Sequence, residues 1–109
     1  MTRVQREWIR GAGPLAVLSL LAERDMYGYE LAEAIDRQSS GVLSMGHSTL
    51  YSLLYNLEGE GLIEPGHRKE GRGRPRKYYR MTPAGHAWLE EHRKEWSELV
   101  DAMAQLGLA

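Results

Sequence analysis

Between His47 and Asn56 the chain offers hydrogen-bonding side chains in a helical rhythm. Leu50, Leu53/Leu54 and Leu57 recur at i, i+3/i+4, i+7, which predicts an amphipathic helix. The opposite face carries His47, Ser48, Tyr51, Ser52, Tyr55 and Asn56, polar and aromatic but almost uncharged. Solvent faces of helices are usually rich in Lys and Glu, so this face is unusual. Short donors and acceptors, with two phenols, suit contact with phosphates and base edges in a major groove ~12 Å wide. The start of such a helix adds backbone N–H groups and a positive dipole end.

A second group points to the same chemistry. Arg68, Lys69, Arg72, Arg74, Arg76, Lys77 and Arg80 fall within thirteen residues that contain one acid, Glu70. The rest of the chain holds seven cations and fourteen anions, although the whole nets only −1. A basic patch on an acidic body suits a polyanion. Taken alone, it also fits a loop kept soluble by its charge.

Elements must position these groups. With 109 residues, 42% apolar and 27% charged, the chain suits one compact domain and excludes large catalytic scaffolds. An apolar segment from Trp8 to Ala22 predicts a first helix, with Pro14 suited to a first helical position and Gly11-Ala12-Gly13 able to kink it. A second helix is expected from Tyr27 or Gly28 to about Gln38, with Tyr27, Leu31 and Ala34/Ile35 inward and Tyr29 packing the core. Ser44 is the candidate cap of the third helix, and Gly59 and Gly61 mark its end. Leu62–Glu64 and Lys77–Met81 read as two short strands around a long Gly- and Pro-containing hairpin, 65–76. Tyr79 points inward. Thr82-Pro83 opens a last helix reaching about Leu106.

That helix, at ~1.5 Å per residue, should measure about 36 Å, against a radius of gyration near ~13 Å for such a domain. Leu89, His92, Trp96, Leu99, Met103 and Leu106 step along it by three and four residues in turn, a coiled-coil seam. A seam that no element of the same chain can cover asks for a second copy, and twofold pairs are the commonest assemblies. The expected fold is mainly α, an α+β winged helix-turn-helix: a three-helix core, a two-stranded β-wing and a long C-terminal dimerisation helix. Residues 1–82 are expected to form the DNA-binding domain and 83–109 the dimerisation helix.

Other chemistries find no support. Without cysteine there are no disulfides and no thiolate ligands or nucleophiles. His47, His67, His86 and His92 lie far apart, with no metal-ligand spacing, so neither metal nor cofactor is expected. Phosphate loops after a strand, nucleophile elbows and paired carboxylates with a plausible cleft are missing, Glu90 and Glu91 being adjacent and so on different helix faces, and an enzyme is not expected. No run approaches the ~20 apolar residues of a membrane span, and the first six residues lack the core of a secretory signal. A cytoplasmic location is expected. The alternative is a winged-helix module that binds protein and no DNA.

Four segments then carry a resemblance. Gly28-Tyr29-Glu30-Leu31, Thr49-Leu50-Tyr51, Leu57-Glu58-Gly59-Glu60-Gly61-Leu62-Ile63 and Tyr78-Tyr79-Arg80-Met81-Thr82-Pro83-Ala84-Gly85 resemble, in order and spacing, the signatures of PadR-family transcriptional regulators across residues 14–89. The chain resembles the short subfamily with a single C-terminal helix. The resemblance implies a dimeric winged-helix protein, usually a repressor, on a pseudo-palindromic operator. It puts the DNA-reading elements on Ser48, Thr49 and Tyr51 and on the wing from Arg72 through Arg74 and Arg76 to Lys77. Some short members hold flat aromatic drugs between tryptophans at the dimer centre. Glu95-Trp96-Ser97 is similar to that segment, and Trp8 lies where a second pocket residue would stand. A planar small molecule, cationic ones included, is the implied effector.

Overall fold

The computed structural model describes residues 5–68, 71 and 73–108. In chain order they form α1 (Arg6–Glu23), β1 (Met26–Tyr27), α2 (Gly28–Gln38), α3 (His47–Gly59), β2 (Ile63–Arg68), β3 (Arg76–Met81) and α4 (Pro83–Met103), closed by a wider π-type turn over Ala104–Leu108. This is a mainly α winged helix-turn-helix, as expected. Val17, Leu18, Leu31, Leu50, Leu54 and Ile63 are fully buried where α1, α2, α3 and the sheet meet.

The sheet has three antiparallel strands in the order β1-β3-β2. The wing was expected to have two. The added strand is two residues long, Met26 pairing with Tyr79 and Tyr27 with Tyr78. Both wing strands also run further than expected, to Arg68 and from Arg76. Pro65 sits opposite Tyr79 in β2, an edge strand, where a missing N–H is tolerated.

Two helix starts differ from the reading of the sequence. Pro14 lies inside α1, and the helix runs unbroken through it. A proline there costs about 3 kcal/mol, but Ile9, Gly13, Val17 and Leu20/Leu21 form one buried stripe spanning it. Gly13 serves close approach: a Cβ on it would stand 3.0 Å from Leu53 Cδ2. α3 begins at His47 with Gly46 as its cap, not Ser44. Ser44 belongs to the α2–α3 turn, where its N–H donates to the Gly41 carbonyl at 3.4 Å. Ser40 and Gly41, at φ of 54° and 80°, reverse the chain there.

The first turns of α4 lie on the body, held by Thr82, whose hydroxyl accepts from the Gly85 N–H at 3.0 Å. Leu89 is only 4% exposed and belongs to the core. It has almost no surface to offer a partner, so the exposed part of the seam starts later. His92 turns to its own chain: its ring stacks on Trp88 with centroids 3.7 Å apart, and Nδ1 lies 2.8 Å from the Trp88 carbonyl oxygen. Beyond it Trp96, Leu99, Val100, Met103 and Leu106 are exposed. The protruding rod gives a longest dimension of 55 Å and a radius of gyration of 15.0 Å.

Candidate nucleic-acid interface

α3 buries Leu50, Leu54 and Leu57 and turns its other side outward. Ser48, Tyr51, Ser52, Tyr55 and Asn56 line one shallow surface depression. His47 and Thr49 are exposed on the first turn. The His47 ring lies parallel to Tyr51 at 6.3 Å. All seven expected α3 residues thus share the exposed side, and none is a carboxylate. No side chain caps the start of α3, so its first N–H groups remain available to an anion.

Tyr51 has two surroundings. Its ring edge is seated against the beginning of α2, where a Cβ on Gly28 would come 2.5 Å from the Tyr51 hydroxyl. The residue is nonetheless 45% exposed. The glycine in Gly28-Tyr29-Glu30 therefore admits the tyrosine of the next helix. Glu30 closes the same corner by accepting from the Tyr27 N–H at 2.9 Å. That bond holds the Glu30 carboxyl below its usual range, against partial desolvation and with help from Arg24. The stability it contributes is present above the ordinary carboxylate range and fades as pH falls through the lowered value.

The wing cations divide by partner. Arg68 pairs with Asp25 at 3.2 Å, Lys77 with Glu58 at 3.5 Å and Arg80 with Glu64 at 2.7 Å. Glu64 raises the Arg80 pKa further. Such exposed pairs add little to stability, because water and salt screen them, but they offset charge that a polyanion would otherwise meet. Arg76 is different: it donates to the Tyr29 hydroxyl at 3.4 Å. Arg74 is exposed, with no ion pair among the described residues. Arg72 lies outside the described residues. Burial pushes the Tyr79 phenol up, against the pull of Lys77, and Tyr79 packs the core as expected.

Tyr29 was expected in the core and is 50% exposed. Helix phase could have shown this, since it stands two positions before Leu31, about half a turn round the helix. Asp25, Glu58 and Glu64, the acids that hold the wing cations, left no local signal because each is far from its partner in sequence or across a turn. Among the described residues no group of His, Asp and Glu could hold a metal. No described helix is long and apolar enough to cross a membrane.

A separate apolar cavity of about 660 Å³ lies between α1, the α2–α3 turn and α4. Ala12, Leu15, Ala16, Val42, Leu43 and Trp96 line it, together with Arg93. Trp8 does not line it. It occupies the same stripe of α1 as Ala12, one turn (~5.4 Å) further out, and is exposed. Within one chain the two expected effector residues are therefore not brought together.

Four similarities to known proteins bear on this geometry. Residues 17–91 match the model of the Transcriptional regulator PadR-like family. The transcriptional regulator Rv3488 of Mycobacterium tuberculosis is 37% identical over 95 residues, covering 87% of this chain and 85% of that one. A transcriptional regulator from Clostridium thermocellum superposes with a TM-score of 0.82 at 32% identity, over 91% of this chain and 96% of that chain. Bacillus subtilis PadR, solved in complex with operator DNA, superposes with a TM-score of 0.65 at 27% identity, over 72% of this chain and 44% of that one.

Proposed function

The chain belongs to the PadR-like family of transcriptional regulators, and from that premise we propose that it is a repressor that binds a pseudo-palindromic operator as a homodimer. Its family makes it a regulator and not an enzyme. The observation that carries the reading is the exposed side of α3, where Ser48, Tyr51, Ser52, Tyr55 and Asn56 line one depression without a carboxylate among them, beside a cationic wing. A helix ~10–12 Å across fits a groove ~12 Å wide. Ser48, Thr49, Ser52 and Asn56 supply short donors and acceptors to base edges and phosphates, and Tyr51 and Tyr55 supply phenols. Arg74 and Arg76 follow the neighbouring backbone, together with Arg72 and Lys77, the latter on leaving Glu58.

Residues 1–82 serve as the reading head and 83–109 as the dimerisation helix, with the first turns of that helix shared between them. The exposed side chains from Trp96 to Leu106 support pairing through the outer half of α4. A planar aromatic effector next to Trp96 is supported by the cavity, whose volume is in the ~300–1,000 Å³ range of small-molecule sites. A ligand releases DNA only by binding one dimer geometry better than another. α4 follows the wing strand through Thr82-Pro83, so a changed crossing angle moves both heads.

The test uses a duplex selected by the protein from a random-sequence pool. Affinity should fall steeply with salt as phosphate contacts release counterions. Arg74→Ala should weaken selected and unrelated duplexes alike, and flatten the log–log salt slope by about one unit. Binding that ignores salt, or no binding at all, contradicts the reading. For the effector, a Trp8→Phe/Trp88→Phe variant leaves Trp96 as the only indole. Planar aromatic drugs should quench it at concentrations that release DNA. Fluorescence that ignores every such compound removes the effector from the proposal.

A further inference from the structure

Arg68 and Arg76 face each other directly across the β2–β3 ladder. Like charges directly opposed in a sheet repel, and the structure draws them apart in two chemically different ways. Arg68 is drawn to the Asp25 carboxylate and lies 4.2 Å from the centre of the Tyr78 ring. Arg76 goes to Tyr29: one guanidinium N–H donates to the hydroxyl at 3.4 Å, and the guanidinium stands 5.8 Å from the ring centre. Tyr29 is in turn held in place, stacked on the buried Tyr27 at 5.8 Å with planes 6° apart.

The distinction matters for an anion. A carboxylate partner orients a cation and cancels it. A phenol orients a cation and leaves its charge intact. Of the described strand cations, Arg68, Lys77 and Arg80 have carboxylate partners, whereas Arg76 has a neutral one. Tyr29 engages one of the five N–H donors of a guanidinium, so the others remain for a phosphate. The neighbour of Tyr29, Gly28, is the residue against which the Tyr51 ring of α3 is seated. The pair therefore fastens the loop end of β3 to the corner where α2 meets the reading helix.

Resting on the DNA-binding reading above, we infer that Tyr29 is a positioning residue for DNA binding: its hydroxyl holds the Arg76 guanidinium, charge uncancelled, at the height of a phosphate beside α3. The pair sets register on the backbone and reads no base. Its effect is shared by all duplex sequences.

A double-mutant cycle tests this. Anisotropy titrations on the protein's selected duplex and on an unrelated duplex of equal length compare wild type, Tyr29→Phe, Arg76→Ala and the double variant, at several salt concentrations. A neutral hydrogen bond contributes ~0.5–1.5 kcal/mol, so Tyr29→Phe should weaken both duplexes by about 2–10-fold. It should leave the salt slope unchanged, because no charge is lost. Arg76→Ala should flatten that slope by about one unit. In the Arg76→Ala background, Tyr29→Phe should have no further effect. Thermal melting of Tyr29→Phe should match wild type, since the ring and its stack remain. If Tyr29→Phe costs the same factor with and without Arg76, or costs nothing, the assignment is overturned while DNA binding stands. Wild-type protein that binds neither duplex overturns both.

Discussion

Replacing Leu99 and Met103 together by aspartate is expected to yield a folded monomer that has lost about 10²–10⁴-fold in operator affinity, the factor that two linked binding events lose when they are uncoupled. Both side chains are exposed on the outer half of α4, Leu99 by 53%, and neither belongs to the core. The chain's own packing therefore survives their loss. A partner would have to bury them, and two carboxylates placed in an apolar interface have no counterion there, so pairing is opposed by several kcal/mol. Half-sites one turn apart, ~34–36 Å, need two heads held at fixed separation. A lone head keeps only its own phosphate contacts. Sedimentation velocity should show the monomer, circular dichroism should show retained helix, and anisotropy should show the loss. A dimer that persists in this variant contradicts pairing through α4.

Gly85→Ala is expected to destabilise the protein by about 3 kcal/mol, the upper part of the range for overpacked cores. At ~4–8 °C per kcal/mol this lowers the melting temperature by roughly 12–24 °C. Gly85 is buried at the first turn of α4. A methyl group there would run into the Leu62 carbonyl oxygen and stand 2.7 Å from Met81 Cγ. The carbonyl cannot withdraw easily, because it accepts from the Thr82 N–H at 3.1 Å. Nor can the helix start move freely, because Thr82 also donates its hydroxyl to the Gly61 carbonyl at 2.6 Å. The glycine is required by this close passage of helix over backbone, not by an unusual φ. Since this corner joins the wing strand to α4, DNA binding should weaken as well. A melting temperature within a few degrees of wild type means that the corner has room that the geometry denies it.

What could be read from the chain alone was whatever repeats at short range. Leu50, Leu54 and Leu57 announce α3 and its buried side, and with them the exposed side that carries Ser48, Ser52, Tyr55 and Asn56. Thr82-Pro83 announces the start of α4, and the cluster of cations announces the wing. These depend on neighbours within one or two turns, or on composition, so sequence suffices for them. The family signatures extend that reach by tying four such segments to one fold.

What depends on distant residues emerged only when the chain closed on itself. The two-residue strand Met26–Tyr27 exists because β3 lies beside it. α1 runs through Pro14 because Ile9, Gly13 and Val17 share one buried face. Leu89 and Leu99 occupy the same seam in sequence, but the body covers the first and leaves the second bare. The division of the wing cations between carboxylates and a phenol joins residues as far apart as Arg76 and Tyr29. Periodicity tells which side of a helix is apolar. It cannot tell what covers that side, because burial and ion pairing are properties of surfaces brought together across the chain.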